Sequence, residues 1–220
     1  MSLRTPLLIG SLMILAACGS SVQLTFQATS SLDDAAKNQL LFQAAERVFT
    51  RRLAAVNVES PKVKVITQDK ATASVSMSVP SASVETVERI ASDPFTFEIR
   101  LEDGVIKDST GADQTNWVPT GVDGSMLEWV QPVKSPDGSD IGVELEFSET
   151  GRSKLQEAFK GNQGKDVGIF VRDLLVSKLK INSDKPNEHI IIGGIPSAKV
   201  AEIFADDVNV GLHLSFLASK

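Results

Sequence analysis

VQLTFQA, residues 22–28, alternates apolar and polar side chains, and this stretch decides the fold class. Alternation with a period of two predicts a β-strand that buries one face and exposes the other. From about Leu32 to Ala55 the apolar residues recur at intervals of three or four, after a capping-box-like start formed by Ser31 and Asp34. A half-buried strand that leads into an amphipathic helix predicts a mixed α+β fold.

The pattern continues as two more strands, a short helix and a further strand. The strands are predicted at 63–67, 73–79 and 95–102, and the helix at 84–91 with Ser83 as its N-cap. The order βαββαβ is that of the ferredoxin-like unit, in which two helices cover one face of a four-stranded antiparallel sheet. Residues 22–102 are therefore predicted to form a ferredoxin-like base module.

The second half divides into a loop-rich segment and a second α+β module. Residues 103–142 are rich in Gly, Asp, Ser and Pro, and they predict a linker with a hairpin or an edge strand. Residues 143–220 predict a head-like module, including a helix capped by Ser197 with Gly211 just past its end. The alternating tail at 212–216 is predicted to add a last strand to one of the two sheets.

The N-terminus has the pattern of a secretory signal. Residues 1–17 carry Arg4 and then an apolar run that is too short to span a bilayer, and they predict a signal peptide. The three residues before Cys18 resemble a bacterial lipobox, so we expect Cys18 to be lipidated, with residues 18–21 as the lipidated N-terminus and tether. A plain cleaved signal and an uncleaved helix with a buried cysteine are the alternatives. The anchor predicts a periplasm-facing envelope protein, with the outer membrane favoured over the inner.

Composition limits the other classes of function. The chain has 22 basic and 28 acidic side chains and a formal net charge of −6, which argues against nucleic acid or an anionic membrane surface as the main partner. It has one cysteine, so no disulfide can form within the chain and the fold must depend on its hydrophobic core.

Three stretches, read in order, resemble one known family. They are ERVFTRRLAAVNVESPKVKV with the segment that follows it as far as Arg100, then VELEFSETGRSKLQEAFKGNQGKDVGIFV at 143–171, and IIIGGIPSAKVAEIF at 190–204. In order and spacing they resemble the large periplasmic domain of SecD, the protein-export membrane protein, over about residues 22–216. The resemblance implies that the first module is the base and the second the head of that domain. It also implies contact with an extended polypeptide, or with a partner, on the trans side of a membrane.

The sequence departs from the pattern of this family at several points. VPS at 79–81 stands where LPG is usual, Asn57 replaces a glycine, and RDL at 172–174 replaces a DG turn. The chain also lacks the six membrane helices of the family. A complete SecD activity is therefore excluded, and only the properties of the soluble part are implied.

No motif predicts an enzyme, a cofactor or a metal. GNQGK at 161–165 has the wrong glycine spacing for a phosphate loop and predicts a tight turn. The glycines of GGIP at 193–196 precede a helix and could hold an anion, although a plain turn is favoured. His189 and His213 are too few for a conventional zinc site, and the pairs Asp33–Asp34 and Asp206–Asp207 predict solvated or helix-dipole positions.

Two features could serve binding. Trp117 and Trp129, the two tryptophans, lie in the loop-rich segment and are either core residues or exposed anchors for a partner. The serines at 74–78 predict a polar sheet surface or an edge that an extended peptide could join. The sequence thus favours a non-enzymatic envelope lipoprotein that binds exported polypeptides or an envelope complex. The alternatives are a scaffold with one folded partner and a small-ligand binder in the cleft between the modules.

Overall fold

The computed structural model describes residues 20–58, 61–134, 140–186 and 189–219. The predicted signal peptide and Cys18 lie outside these residues. The strands are β1 (Ser21–Ser30), β2 (Lys62–Thr67), β3 (Thr72–Pro80), β4 (Phe97–Lys107), β5 (Asp113–Asp123), β6 (Leu127–Lys134), β7 (Ile141–Phe147), β8 (Asp166–Val171), β9 (Leu174–Lys180), β10 (Ile190–Ile192) and β11 (Leu214–Ala218). The helices are α1 (Ala35–Ala55), α2 (Val84–Ser92), α3 (Glu149–Phe159) and α4 (Ala198–His213). The predicted α+β class is confirmed.

The first sheet has the strand order β11-β1-β3-β2, with every neighbouring pair antiparallel. Alternate residues of β1 and β3, such as Phe26 and Val75, enter a core that α1 and α2 cover. This sheet and its two helices form the base lobe. Its strand order is that of a ferredoxin-like sheet, as predicted from the first half of the chain.

The fourth strand of the base lobe is not the predicted one. Residues 95–102 were assigned to this sheet, but β4 pairs with β5 and β8 in a different sheet. The C-terminal β11 takes the place beside β1, with Ala28 opposite Phe216. The ring of Phe216 lies edge-on to that of Phe49 on α1, with 4.9 Å between centroids. Alternation predicts that a segment is a strand, whereas such packing contacts select its partner.

The head lobe contains the other two sheets, with orders β10-β7-β6 and β5-β4-β8-β9, together with α3 and α4. The segment 103–142 is therefore not a linker. It forms the end of β4 and a hairpin to β5, and then β6, so that it supplies one edge strand to each sheet. Both sides of the outer part of β4 are exposed, Val105 and Ile106 included, so the alternation that marks a half-buried strand is absent there.

Helix α4 connects the two lobes. Ala201, Ala205 and Val208 belong to the head core, whereas Val210 and the following strand belong to the base core. Gly211 was predicted just past the end of this helix, but it lies inside the helix. A Cβ at Gly211 would lie 2.3 Å from the ring of Phe95, so close packing rather than chain termination explains this glycine.

The helix caps follow the sequence only in part. Asp34 caps α1, because its carboxylate accepts hydrogen bonds from the backbone N–H groups of Ala36 and Lys37. Ser197 caps α4 as predicted, since its hydroxyl accepts from the N–H of Val200. Ser83 precedes α2, but its side chain makes no capping hydrogen bond.

Among the described residues, no helix combines the length and the apolar character that a membrane crossing requires.

Candidate functional site

The free edge of β9 is the most exposed apolar part of the head lobe. β9 ends the sheet β5-β4-β8-β9, so one side of its backbone has no strand partner among the described residues. Leu174 is 70% exposed and Val176 is 44% exposed, and Leu175 beside them is also exposed. An edge strand presents unpaired N–H and C=O groups that can bind a further strand. This edge therefore combines free backbone groups with apolar side chains.

The turn before β9 is held in a strained conformation. Arg172 and Asp173 have φ of 50° and 62°, in the left-handed region, which two-residue hairpin turns require and which Asn and Gly usually provide. The N–H of Arg172 donates to the carbonyl of Thr96 at 2.9 Å, and the carboxylate of Asp173 accepts from Arg100 at 2.6 Å. These contacts with Arg100 of β4 and with Thr96, just before β4, fix the start of β9. In the family pattern that the sequence resembles, this turn has a glycine.

A cleft opens along the inner side of β9. It has a volume of about 270 Å³ and lies between β9 and the residues from β10 to α4. Its lining is mainly apolar and consists of Val176, Ser177, residues 192–196, Val200 and Phe204. Sites for drug-sized ligands have volumes of about 300–1,000 Å³, so this cleft suits one or two side chains better than a metabolite.

The paired glycines of GGIP line this cleft. Gly194 has φ of 70°, so the segment forms a turn between β10 and α4, as the sequence favoured. The turn shapes the cleft rather than forming a separate anion site. Nothing in the sequence indicated that the glycines lie next to β9, because only the fold makes these two segments neighbours.

Trp117 packs on the outer face of the same sheet. Its ring lies edge-on to that of Phe170, with 5.6 Å between centroids, and the ammonium of Lys178 is 5.6 Å from the Trp117 centroid. Gly168 makes this arrangement possible, because a Cβ there would lie 2.9 Å from the indole. Trp117 is half-buried, so it packs on the sheet and keeps one accessible part.

Trp129 lies between the lobes instead. Its ring stacks on His213 at 6.5 Å between centroids, and the ammonium of Lys37 is 5.6 Å from the Trp129 centroid. Burial lowers the pKa of His213 to about 4, and the nearby charge of Lys37 contributes to the same shift. His213 is therefore neutral at pH 7. The two tryptophans contact different elements, so they do not form one site.

The free edge of β6 is blocked, in contrast to that of β9. The amide side chain of Asn209 donates to the carbonyl of Val130 at 2.7 Å and accepts from its N–H at 2.9 Å. Pro132, two residues on, has no N–H to offer. The serines at 74–78 were also predicted as a possible edge, but β3 lies between β1 and β2 and has no free side.

A second, smaller cleft of about 220 Å³ lies between the lobes, beside Leu40, Trp129 and Asp206. The charged residues in it are already paired, because Arg47 donates two hydrogen bonds to Asp206. Asp206 is only 6% exposed, so the prediction of a solvated or helix-dipole position was wrong for this residue. Its carboxylate instead joins α4 to α1.

The remaining chemical patterns do not form a site. GNQGK is a turn between α3 and β8, with positive φ at Gly161 and Gly164. His189 pairs with Glu144, whereas His213 contacts Ser31 and Trp129. In the ranges that the structure describes, no group of three or more His, Cys, Asp or Glu side chains could hold a metal ion.

Three solved structures are similar to this chain. All of them are of SecDF. SecDF of Thermus thermophilus, a translocon-associated membrane protein, has a TM-score of 0.49 at 15% identity, over 90% of this chain and 30% of that chain. SecDF in its super-membrane-facing form has a TM-score of 0.49 at 16% identity, over 91% of this chain and 30% of that chain. A third SecDF structure, of the membrane component that enhances protein export, has a TM-score of 0.47 at 14% identity, over 90% of this chain and 99% of that chain.

This chain thus spans less than a third of the whole SecDF chain in two of the three comparisons. No protein-family model matches the sequence. No curated protein sequence is similar to it at a significant level.

Proposed function

We propose that this protein is a lipid-anchored, non-enzymatic component of the cell envelope that binds extended polypeptide segments along β9. The bound segment adds a strand to the sheet β5-β4-β8-β9, and one or two of its apolar side chains enter the cleft beside Val176. The observation that carries the proposal is an edge strand that has no strand partner in the described ranges and that lines an apolar cleft.

The physical basis is strand addition. Backbone hydrogen bonds to an edge strand give affinity with little dependence on sequence, and pockets for alternate side chains add selectivity. A folded protein has few free strands to offer, whereas an unfolded chain offers many. The β9 site therefore favours unfolded over folded polypeptides. The resemblance of residues 22–216 to the periplasmic domain of SecD agrees with a client of this kind.

The test is binding of an unfolded chain to the purified protein. Reduced and carboxymethylated α-lactalbumin is the unfolded probe, and native α-lactalbumin is the folded one. We expect the first to bind more tightly than the second. The double variant Leu174→Asp with Val176→Asp should weaken binding of the unfolded probe roughly tenfold or more, because it places two charges where apolar side chains dock.

The matched control is Val105→Asp with Ile106→Asp. These two residues are also exposed and apolar, but they lie at the outer end of β4, away from the cleft. The control should bind the unfolded probe like the unchanged protein. Equal binding of the folded and unfolded probes, or equal loss of binding in the two double variants, would contradict the proposal.

The anchor has its own test. Mass spectrometry of the mature protein from membranes should find Cys18 as the first residue, carrying a diacylglyceryl group and an N-acyl chain. An unmodified Cys18 on an uncut chain would contradict the anchor but leave the β9 site standing.

A further inference from the structure

The base sheet has one face that no helix covers. Alternate residues of β1 and β3 point away from α1 and α2, and they are all serine, threonine or glutamine apart from Pro80 at the end of β3. On the two outer strands, Ile66 of β2 and Leu217 of β11 are exposed on this same face. We name this surface the open base face.

The open base face is broad enough for a large partner, and its charge differs from that of the whole chain. None of its outward-pointing strand residues is acidic, whereas Lys62 and Lys64 of β2 are both exposed on it. Neither lysine is part of an ion pair among the described residues. The face therefore has a charge of about +2 in a chain whose net charge is −6.

The lysines lie near the end of the sheet where the chain enters it. Lys62 is opposite Ser78, which is opposite Gln23, only two residues after the start of β1. Among the described residues of the loops that join strands of this sheet, the carboxylate of Asp69 lies in the turn at the other end and accepts from the N–H groups of Ala71 and Thr72. The positive charge is therefore concentrated at the entry end.

The proposed anchor is close to this end. Ser21 is three positions after Cys18, so the extended chain between them spans at most about 10 Å. An acyl anchor at Cys18 would hold the start of β1, with Lys62 and Lys64, within reach of lipid headgroups. The inference that follows rests on this anchor, but it does not rest on the β9 site.

We propose that the open base face lies on an anionic lipid surface, that of the membrane that holds the anchor. The anchor supplies the affinity, and the face sets the orientation, because each lysine near an anionic surface is attracted to it. Two lysines favour the lying orientation over an upright one by at most roughly 30-fold, the limit reached when both leave the surface in the upright orientation. Ile66 and Leu217 then meet the headgroup region, and the helices α1 and α2 face away from the membrane.

A distance measurement separates the two orientations. Thr29 on the open base face lies eight residues along β1 from Ser21, or about 27 Å, so it is near the membrane only if the sheet lies flat. Gln39 on α1 is exposed near the same end of the strand but on the covered side. The variants Thr29→Cys and Gln39→Cys each provide one labelling site, since an acylated Cys18 has no free thiol.

The full-length protein, purified from membranes and labelled with a fluorophore, is placed in vesicles that contain a headgroup-linked nitroxide quencher. With 30% phosphatidylglycerol in phosphatidylethanolamine, we expect the label at position 29 to be quenched several-fold more than the label at position 39. The difference should shrink in phosphatidylcholine vesicles and at high salt. It should also shrink in a Lys62→Glu/Lys64→Glu variant but not in a Lys154→Glu/Lys160→Glu variant of the head lobe.

Equal quenching at positions 29 and 39 on anionic vesicles would overturn the proposal, as would quenching that ignores the Lys62→Glu/Lys64→Glu change. Energy transfer between the fluorophores at position 29 of two copies, seen as a loss of fluorescence anisotropy, would assign the face to a second copy of the chain instead. Failure of the protein to enter vesicles would refute the anchor, and with it this inference. The β9 site is tested separately by binding of the unfolded probe in solution.

Discussion

Arg47 on α1 donates two hydrogen bonds, of 2.8 and 2.7 Å, to the carboxylate of Asp206 on α4. The same carboxylate is 3.3 Å from Arg51, and Asp207 next to it pairs with Arg51 and Arg52. The basic residues at the end of α1 thus meet the acidic residues of α4. Because α1 belongs to the base lobe and α4 enters the head core, these ion pairs join the two lobes.

Replacing Asp206 should cost more stability than replacing Asp207. Asp206→Asn leaves Arg47 and Arg51 without their most buried partner, and we expect a loss of about 2 kcal/mol in the free energy of unfolding. The carboxylate of Asp207 is a third exposed, so Asp207→Asn should cost less than about 1 kcal/mol. Urea denaturation of both variants measures the difference. Equal losses would mean that the bidentate pair of Asp206 with Arg47 stabilises the fold no more than the exposed pairs of Asp207 do.

Protonation of His213 should destabilise the protein in mild acid. Its pKa is lowered from the ordinary 6.5 to about 4 in the folded state, so the unfolded chain binds more protons between these values. Stability is then fully present above pH 6.5 and is lost progressively as the pH falls to 4, by roughly 3 kcal/mol at most. Denaturation curves at pH 7, 6, 5 and 4 measure this dependence.

The control for this pH dependence is removal of the His213 side chain. His213→Leu should flatten the stability profile between pH 6.5 and 4. Asp34, Asp69 and Asp108 have pKa values below their ordinary value, since hydrogen bonds stabilise their charged forms. Their contribution to stability is lost mainly below pH 4. Between pH 6.5 and 4 we therefore assign the change in stability to His213. An unchanged slope in His213→Leu would contradict this assignment.

Gly211→Ala should destabilise the protein although alanine favours helices. The added methyl group would lie 2.3 Å from the ring of Phe95, which is too close for any contact between carbon atoms. We expect a loss of about 2 kcal/mol, or roughly 4–8 °C in the melting temperature. The double variant Gly211→Ala/Phe95→Leu should recover part of this loss. A melting temperature that is unchanged or higher in Gly211→Ala would show that Phe95 moves aside freely.

Asn57 should tolerate glycine better than any β-branched residue. It follows α1 with φ of 62°, and the N–H groups of Asn57 and Val58 donate to the carbonyls of Ala54 and Leu53, as in a Schellman motif. Asn57→Gly should raise the free energy of unfolding by about 0.5 kcal/mol, and Asn57→Val should lower it by about 1 kcal/mol. Thermal denaturation tests the order. Stabilisation by valine would argue against the left-handed conformation.

Much of the fold could be predicted because its local patterns are strong. The period of two around Phe26 and the period of three to four around Leu41 identified β1 and α1, and the capping serine of α4 was correct. The left-handed conformation of Asn57 also explains why this position can replace a glycine. In each case the signal comes from residues that are close in the chain.

The candidate site was predicted less well. The sequence left Trp117 and Trp129 open as core residues or partner anchors, and the structure packs one on Phe170 and stacks the other on His213. The edge of β9 and its cleft were missed, because the apolar run at 174–176 is an ordinary strand pattern. Whether such a strand is central or at an edge depends on the order of strands in the sheet, and no local pattern encodes that order.

The sequence by itself determined most of the strands and the helices, the α+β class and the ferredoxin-like order of the first elements, since these follow from backbone geometry and side-chain period. Only the tertiary structure decided that β11 rather than β4 completes the base sheet and that β9 keeps a free edge. It also decided that a chain of net negative charge has one sheet face without carboxylates. These properties arise from contacts between residues that are distant in the chain, where the packing of side chains such as Phe216 on Phe49 selects one pairing among several that local preference allows.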